Sequence, residues 1–186
     1  LVFYCRTVIL QYTNNMTKIV QMGKKVLRNV AQEIPVAEIS SEKIQNCIAK
    51  MKDALATQND GVALAAPQIG ESYRIFIVAP FIFEKPGNEP LVYINPVIIE
   101  QSKKTKLLHE GCLSCRWKVG DVKRHTKTTV TAYDEHGNQF TQSADKLLAH
   151  IYQHEIDHLN GILFVDKAEN LRDMTQEEID EVINGK

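Results

Sequence analysis

The chain has 186 residues, 44% of them hydrophobic and 24% charged, with a formal net charge of −1. That length and balance suit one ordinary globular domain with a sizeable core, and leave too little for two. The near-neutral charge gives no footing for nucleic acid or an anionic membrane surface, and no apolar run reaches the roughly 18 residues of a bilayer span.

The first fifteen residues, before Met16, read as a non-native or disordered extension, with one domain over 16–186. Arg6 interrupts their apolar stretch and no small-residue cleavage site follows, so they do not read as a secretory signal. Ser40 or Ser41 can cap a helix over 41–55, whose inward stripe is Ile44, Cys47, Ile48, Met51 and Leu55, ended by Asn59-Asp60-Gly61. Strands follow over 73–79 and 91–99, rich in Ile and Val, with Pro80, Pro86, Gly87 and Pro90 marking the loop between them. Segments 127–133 and 139–144 flank Asp134-Glu135-His136-Gly137-Asn138 as a hairpin. A second helix spans 145–160 with Gly161 to stop it, and Thr175 with Glu178 has capping-box spacing for a short C-terminal helix. Helices and strands are segregated, which predicts an α+β domain. Its antiparallel or mixed sheets surround the second helix, with the first as N-terminal helix.

The second helix carries His154-Glu155-Ile156-Asp157-His158. Positions i and i+4 share a helix face, so two imidazoles can meet one metal ion while Glu155 reaches a water beside it. A third ligand is needed. A metzincin-type protease would place one where Phe164 stands, so that pattern fails. A thermolysin-type metallopeptidase would take a downstream carboxylate, Glu177 or Glu178. Upstream, Glu110-Gly111-Cys112-Leu113-Ser114 offers a thiolate, whose softness suits ferrous iron, zinc or nickel. Cys115 allows another class of reading, a non-catalytic metal-binding module that uses both Cys112 and Cys115. Of the four cysteines, Cys5 and Cys47 have no part in this, and Cys47 lies on the first helix's apolar stripe. Cys112 is the preferred ligand, with Cys115 a bystander.

Three segments together resemble the peptide deformylases. They are Gly61-Val62-Ala63-Leu64-Ala65-Ala66-Pro67-Gln68, then Glu110-Gly111-Cys112-Leu113-Ser114, then Gln153-His154-Glu155-Ile156-Asp157-His158. The resemblance runs from about residue 16 to 166 and takes in Ile94-Asn95-Pro96 and Leu159-Asn160-Gly161. It implies a metal-dependent hydrolase that removes the formyl group from the N-terminal formyl-methionine of new polypeptides. It also implies Cys112, His154 and His158 as ligands of one divalent ion, Fe(II) in the cell, with Zn(II), Ni(II) or Co(II) able to replace it. Glu155 is then the general acid/base, and Gln68 and the Leu113 N–H are the oxyanion donors. Val62, Ala63, Gly111 and Ile151 are the expected substrate contacts. The expected partners are formyl-methionyl nascent peptides and the ribosome surface near its exit tunnel. The setting is the bacterial cytoplasm or an organelle.

The match has departures. Ala63 stands where the family usually has Gly, and its Cβ is expected to crowd a substrate backbone. Cys115-Arg116-Trp117 replaces an aliphatic residue and Pro beside the expected groove, and Gly23-Lys24-Lys25 replaces a frequent Asp-Pro. The remaining polar groups read as ordinary: His109 as surface, His150 as a polar helix flank, His125 and His136 as loop or hairpin residues, and Asp157 as non-catalytic.

Overall fold

A computed structural model describes residues 17–83 and 91–184. The apolar stripe at 44, 47, 48, 51 and 55 forms helix α1 (Glu42–Ala56), with all five side chains buried. Ser41 stands at its N-cap position but makes no side-chain cap. Strands β1 (Ala63–Ala65), β2 (Ile75–Val78), β3 (Leu91–Gln101), β6 (Lys127–Tyr133) and β7 (Gln139–Asp145) make one sheet in the order β1-β2-β3-β6-β7, each pair antiparallel. A smaller antiparallel sheet has the order β4-β5-β8, from β4 (Thr105–Glu110), β5 (Lys118–His125) and β8 (Glu169–Asp173). Helices α2 (Lys146–Leu159) and α3 (Gln176–Asn184) complete the α+β domain.

Two apolar layers hold the large sheet. On one side α1 packs Ile44, Ile48, Met51 and Leu55 against Leu64, Ile75, Ile77 and Ile94. On the other, α2 presents Ile151, Tyr152, Ile156 and Leu159 to Phe76, Tyr93, Val130 and Ala132. β2 is buried on both faces, which explains its continuous apolar run. Each such large side chain contributes ~1.5–3 kcal/mol by leaving water. Orientation within the second layer is fixed by the Phe76–Tyr93 stack at 4.4 Å and by the Tyr93 and Tyr152 hydroxyls, 2.9 Å apart. α2 is therefore central, with its polar residues Gln153, Glu155, Asp157 and His158 buried too.

The expected helices and the 127–145 hairpin form within a residue or two of their predicted bounds. β2 is shorter than 73–79, because Tyr73 makes only an isolated bridge to Gln32, and β3 runs on to Gln101. Strands β1, β4, β5 and β8 have no counterpart in the sequence reading. The predicted loop residues Pro86, Gly87 and Pro90, and the fifteen-residue extension, lie outside the described residues.

Candidate metal centre

The i, i+4 spacing on α2 puts the His154 and His158 rings 5.0 Å apart on one face. Cys112 follows β4 and enters from the small sheet, and one ligand atom from each of these three residues lies within 4.8 Å of the others. Cys112 Sγ and His158 Nε2 are 3.2 Å apart. Ligand atoms on a tetrahedral ion with bonds of 2.0–2.3 Å sit about 3.5 Å from each other, so the donor set fits a divalent cation. His158 is 1% exposed, and burial together with the neighbouring His154 holds its imidazole well below its usual pKa, hence neutral as a ligand must be. The adjacent Cys115 thiol and burial push the Cys112 thiol up, which a cation against the sulfur reverses.

A buried ionic network stands behind this cluster. Glu110 Oε2 accepts from His154 Nδ1 at 2.9 Å, which leaves His154 Nε2 as the nitrogen able to take a cation. Arg124 binds the same carboxylate through Nε at 2.7 Å and Nη2 at 3.1 Å, and reaches Asp157 Oδ2 through Nη1 at 2.5 Å. Lys167 Nζ closes the far side on both Asp157 oxygens at 2.7 Å. The sequence reading missed this network. Among the described residues, the Asp157 carboxylate is held by Arg124 and Lys167. His150 is not a mere polar flank: its Nε2 lies 2.8 Å from Glu110 Oε1. His109 is an exposed side chain paired with Asp121, and His125 closes β5 rather than standing in a loop.

Glu155 is 4% exposed, and its Oε2 has no hydrogen-bond partner among the described residues. Burial and the charge of Glu110 push its carboxyl up to about 8, against the pull of Arg124. Gln68 sits in a 3-10 turn (Ala66–Ile69) whose Pro67 fixes the entry, and its side chain is anchored through Oε1. Oε1 accepts the Ala65 N–H at 2.8 Å, while Nε2 faces Ser114 Oγ at 3.2 Å and Cys112 Sγ at 3.5 Å. The Leu113 carbonyl accepts from Gln21, and its N–H has no acceptor among the described residues.

These groups open on a cleft of about 280 Å³. Val62 and Ala63 line it, and among the described residues β1 is an edge strand with β2 as its sheet neighbour. Gly111 and Leu113, Leu147 and Ile151 of α2, and Val182 of α3 line the cleft too. Ala63 is 6% exposed and packs in the layer that holds Ile151 and Ile156, so its methyl contributes to that packing. At the mouth, Arg116 binds Asp60 and Gln58 and lies 5.5 Å from the Trp117 ring, tying the Cys112 loop to the segment before β1. Phe164, at the protease-type ligand position, is buried and packs its ring beside His154 at 6.4 Å. Glu178 is engaged with Arg172 and the Thr175 N–H in the α3 capping box, away from the ligand cluster. Cys115 is likewise outside that cluster.

A family model for polypeptide deformylase matches residues 16–174. The peptide deformylase of Carboxydothermus hydrogenoformans is 42% identical over 154 residues, covering 83% of this chain and 94% of that one. The chloroplastic peptide deformylase 1A of Solanum lycopersicum is 38% identical over 178 residues, covering 89% of this chain and 64% of the relative. Among solved structures, the Met-Ala-Ser-bound class I type b peptide deformylase of Acinetobacter baumannii superposes with a TM-score of 0.74 at 32% identity, over 82% of this chain and 98% of that one.

Proposed function

Since the chain belongs to the polypeptide deformylase family, hydrolases that remove the formyl group from the N-terminal methionine of new polypeptides, we propose how its residues divide that work. Cys112, His154 and His158 hold one divalent ion, and Glu155 is the general acid and base. The observation that carries this is the convergence of three ligand atoms within 4.8 Å beside a buried carboxylate oxygen with no partner. A bound ion supplies Lewis acidity and makes water a nucleophile near neutral pH.

The chain's own groups do the rest. Glu155 takes the proton of the attacking water and returns it to the leaving amine. Gln68 Nε2 and the Leu113 N–H donate to the oxygen on which negative charge develops, where one donor is worth ~3 kcal/mol. Gln68 cannot swing away while the Ala65 N–H holds its Oε1. An extended substrate adds itself to the free edge of β1 at Val62 and Ala63. The methionine side chain then lies against Ile151 and Leu147, with Gly111 leaving room opposite.

A thiolate with two imidazoles suits Fe(II), and Zn(II), Ni(II) or Co(II) can take its place. The enzyme works where translation starts with formyl-methionine, in the bacterial cytoplasm or an organelle, near the ribosomal exit where those termini emerge. No helix among the described residues is long and apolar enough to cross a membrane.

The test is formate release from formyl-Met-Ala-Ser under anaerobic conditions with ferrous iron supplied, for wild type and Glu155→Ala. Glu155→Ala is expected to retain its metal and lose at least ~10²-fold in kcat. Full activity in that variant would remove Glu155 from the mechanism. No release by metal-loaded wild type would mean that this site takes another amide.

A further inference from the structure

Helix α2 carries a third histidine in line with the two ligands: His150, His154 and His158 follow one another at intervals of four residues, one per turn. The same stripe lines the cleft, with Leu147 and Ile151 beside His150. His150 nonetheless stands outside the ligand cluster, because its ring is turned to Glu110. An ionised carboxylate has only acceptors, so His154 donates its Nδ1–H to Oε2, while His150 turns Nε2 to Oε1 at 2.8 Å. Arg124 supplies Nε to Oε1 and Nη2 to Oε2. Glu110 therefore faces four nitrogens, two on each oxygen, three of them in hydrogen-bond geometry and His150 in ion-pair contact. They fix the rotation of its carboxylate plane, and with it the direction in which Oε2 holds the His154 ring.

Three of those nitrogens have an evident task. Arg124 supplies the balancing charge, and the His154 bond sets a ligand's tautomer. The fourth is His150, which touches neither ligand sulfur nor ligand nitrogen. We propose that His150 is a positioning residue that locks Glu110 and, through it, the orientation and basicity of the ligand His154. The inference rests on the ligand assignment above and adds to it a residue of the cleft wall that acts on the metal from one carboxylate away. Groups one bond behind a ligand commonly govern metal affinity by 10–100-fold.

The experiment uses the full chain and zinc alone as probe. Its dissociation constant is measured by competition with a chromophoric chelator for wild type, His150→Leu and His150→Gln. Thermal unfolding in excess zinc checks that each variant folds. Leucine fills the space without a donor, whereas the glutamine amide can still donate to Glu110. His150→Leu is expected to bind zinc roughly tenfold more weakly, with His150→Gln within about threefold of wild type. Zinc binding by His150→Leu as tight as wild type overturns the proposal. An equal loss in both variants overturns it too, since ring packing and not the polar contact with Glu110 would then be responsible. Absence of zinc binding by wild type itself would strike the ligand assignment instead, which keeps the two failures apart.

Discussion

Cys112 and Cys115 belong to one tight turn, closed by the Cys115 N–H on the Cys112 carbonyl at 3.0 Å, yet their sulfurs meet different chemistry. Cys112 Sγ has the Ser114 N–H at 3.4 Å, Gln68 Nε2 and His158 Nε2 around it, a polar shell open to a cation. Cys115 is buried among Leu27, Val122, Leu163 and Phe164, an apolar setting in which a thiol is a small hydrophobe. A module that used both sulfurs would lose its metal with either one. Cys115→Ser is therefore expected to keep a full equivalent of metal, measured by atomic emission on gel-filtered protein, while Cys112→Ser loses it. The cost of Cys115→Ser is in stability, ~1–3 kcal/mol in a denaturant titration, because the new hydroxyl is buried without an assured partner. Loss of metal in Cys115→Ser at unchanged fold would restore the four-ligand module.

At the scale of elements, the end of α2 is as consequential as its middle. Gly161 N–H bonds His158 O at 3.1 Å and Ile162 N–H bonds Asp157 O at 2.9 Å, the Schellman pattern, with Gly161 at φ +73°. A Cβ there would meet the Arg28 carbonyl oxygen at 2.5 Å, so Gly161→Ala combines left-handed strain with a backbone clash. A loss of about 2 kcal/mol or more is expected, which lowers Tm by roughly 4–8 °C in a domain of this size. An unchanged melting curve would refute the account of this cap. Elements of this kind were legible in sequence because their signals are local: the α1 stripe, the β6–β7 turn residues, the Gly161 stop and the Thr175–Glu178 box, whose reciprocal bonds form at 2.7 and 3.3 Å. The small sheet was not, because β8 is exposed along its length and β4 is half polar, so neither has an inward period to read. The site divides the same way. His154, Glu155 and His158 follow from helical spacing alone, whereas Glu110, Arg124 and Asp157 converge only once β4 and β5 pair and α2 packs beside them. One local signal was available: Val122 and Arg124 are alternate inward positions of β5, and a charge on that face needs buried partners.

For the whole molecule, the proposed ligand set spans two layers. Cys112 hangs from the small sheet, while His154 and His158 ride on α2, whose opposite face is packed into the large sheet. An ion on these donors would cross-link the layers, and removing it tests the architecture as well as the chemistry. The Glu110–Arg124–Asp157–Lys167 network already joins β4, β5 and α2 without it, so chelation is expected to leave the far-ultraviolet circular dichroism at 25 °C unchanged. Stability is a separate matter, because an ion that binds only the folded chain adds RT ln(1 + [L]/Kd), ~4 kcal/mol at a thousandfold excess over Kd. In a domain of this length that corresponds to a Tm difference of roughly 8–16 °C between zinc-loaded and chelated protein. Differential scanning calorimetry of both forms measures it, with Cys112→Ser as the control in which the difference should vanish. Superimposable transitions would mean that the ion does not bridge the layers. A shift that survives in Cys112→Ser would place the stabilising ion on donors other than these three.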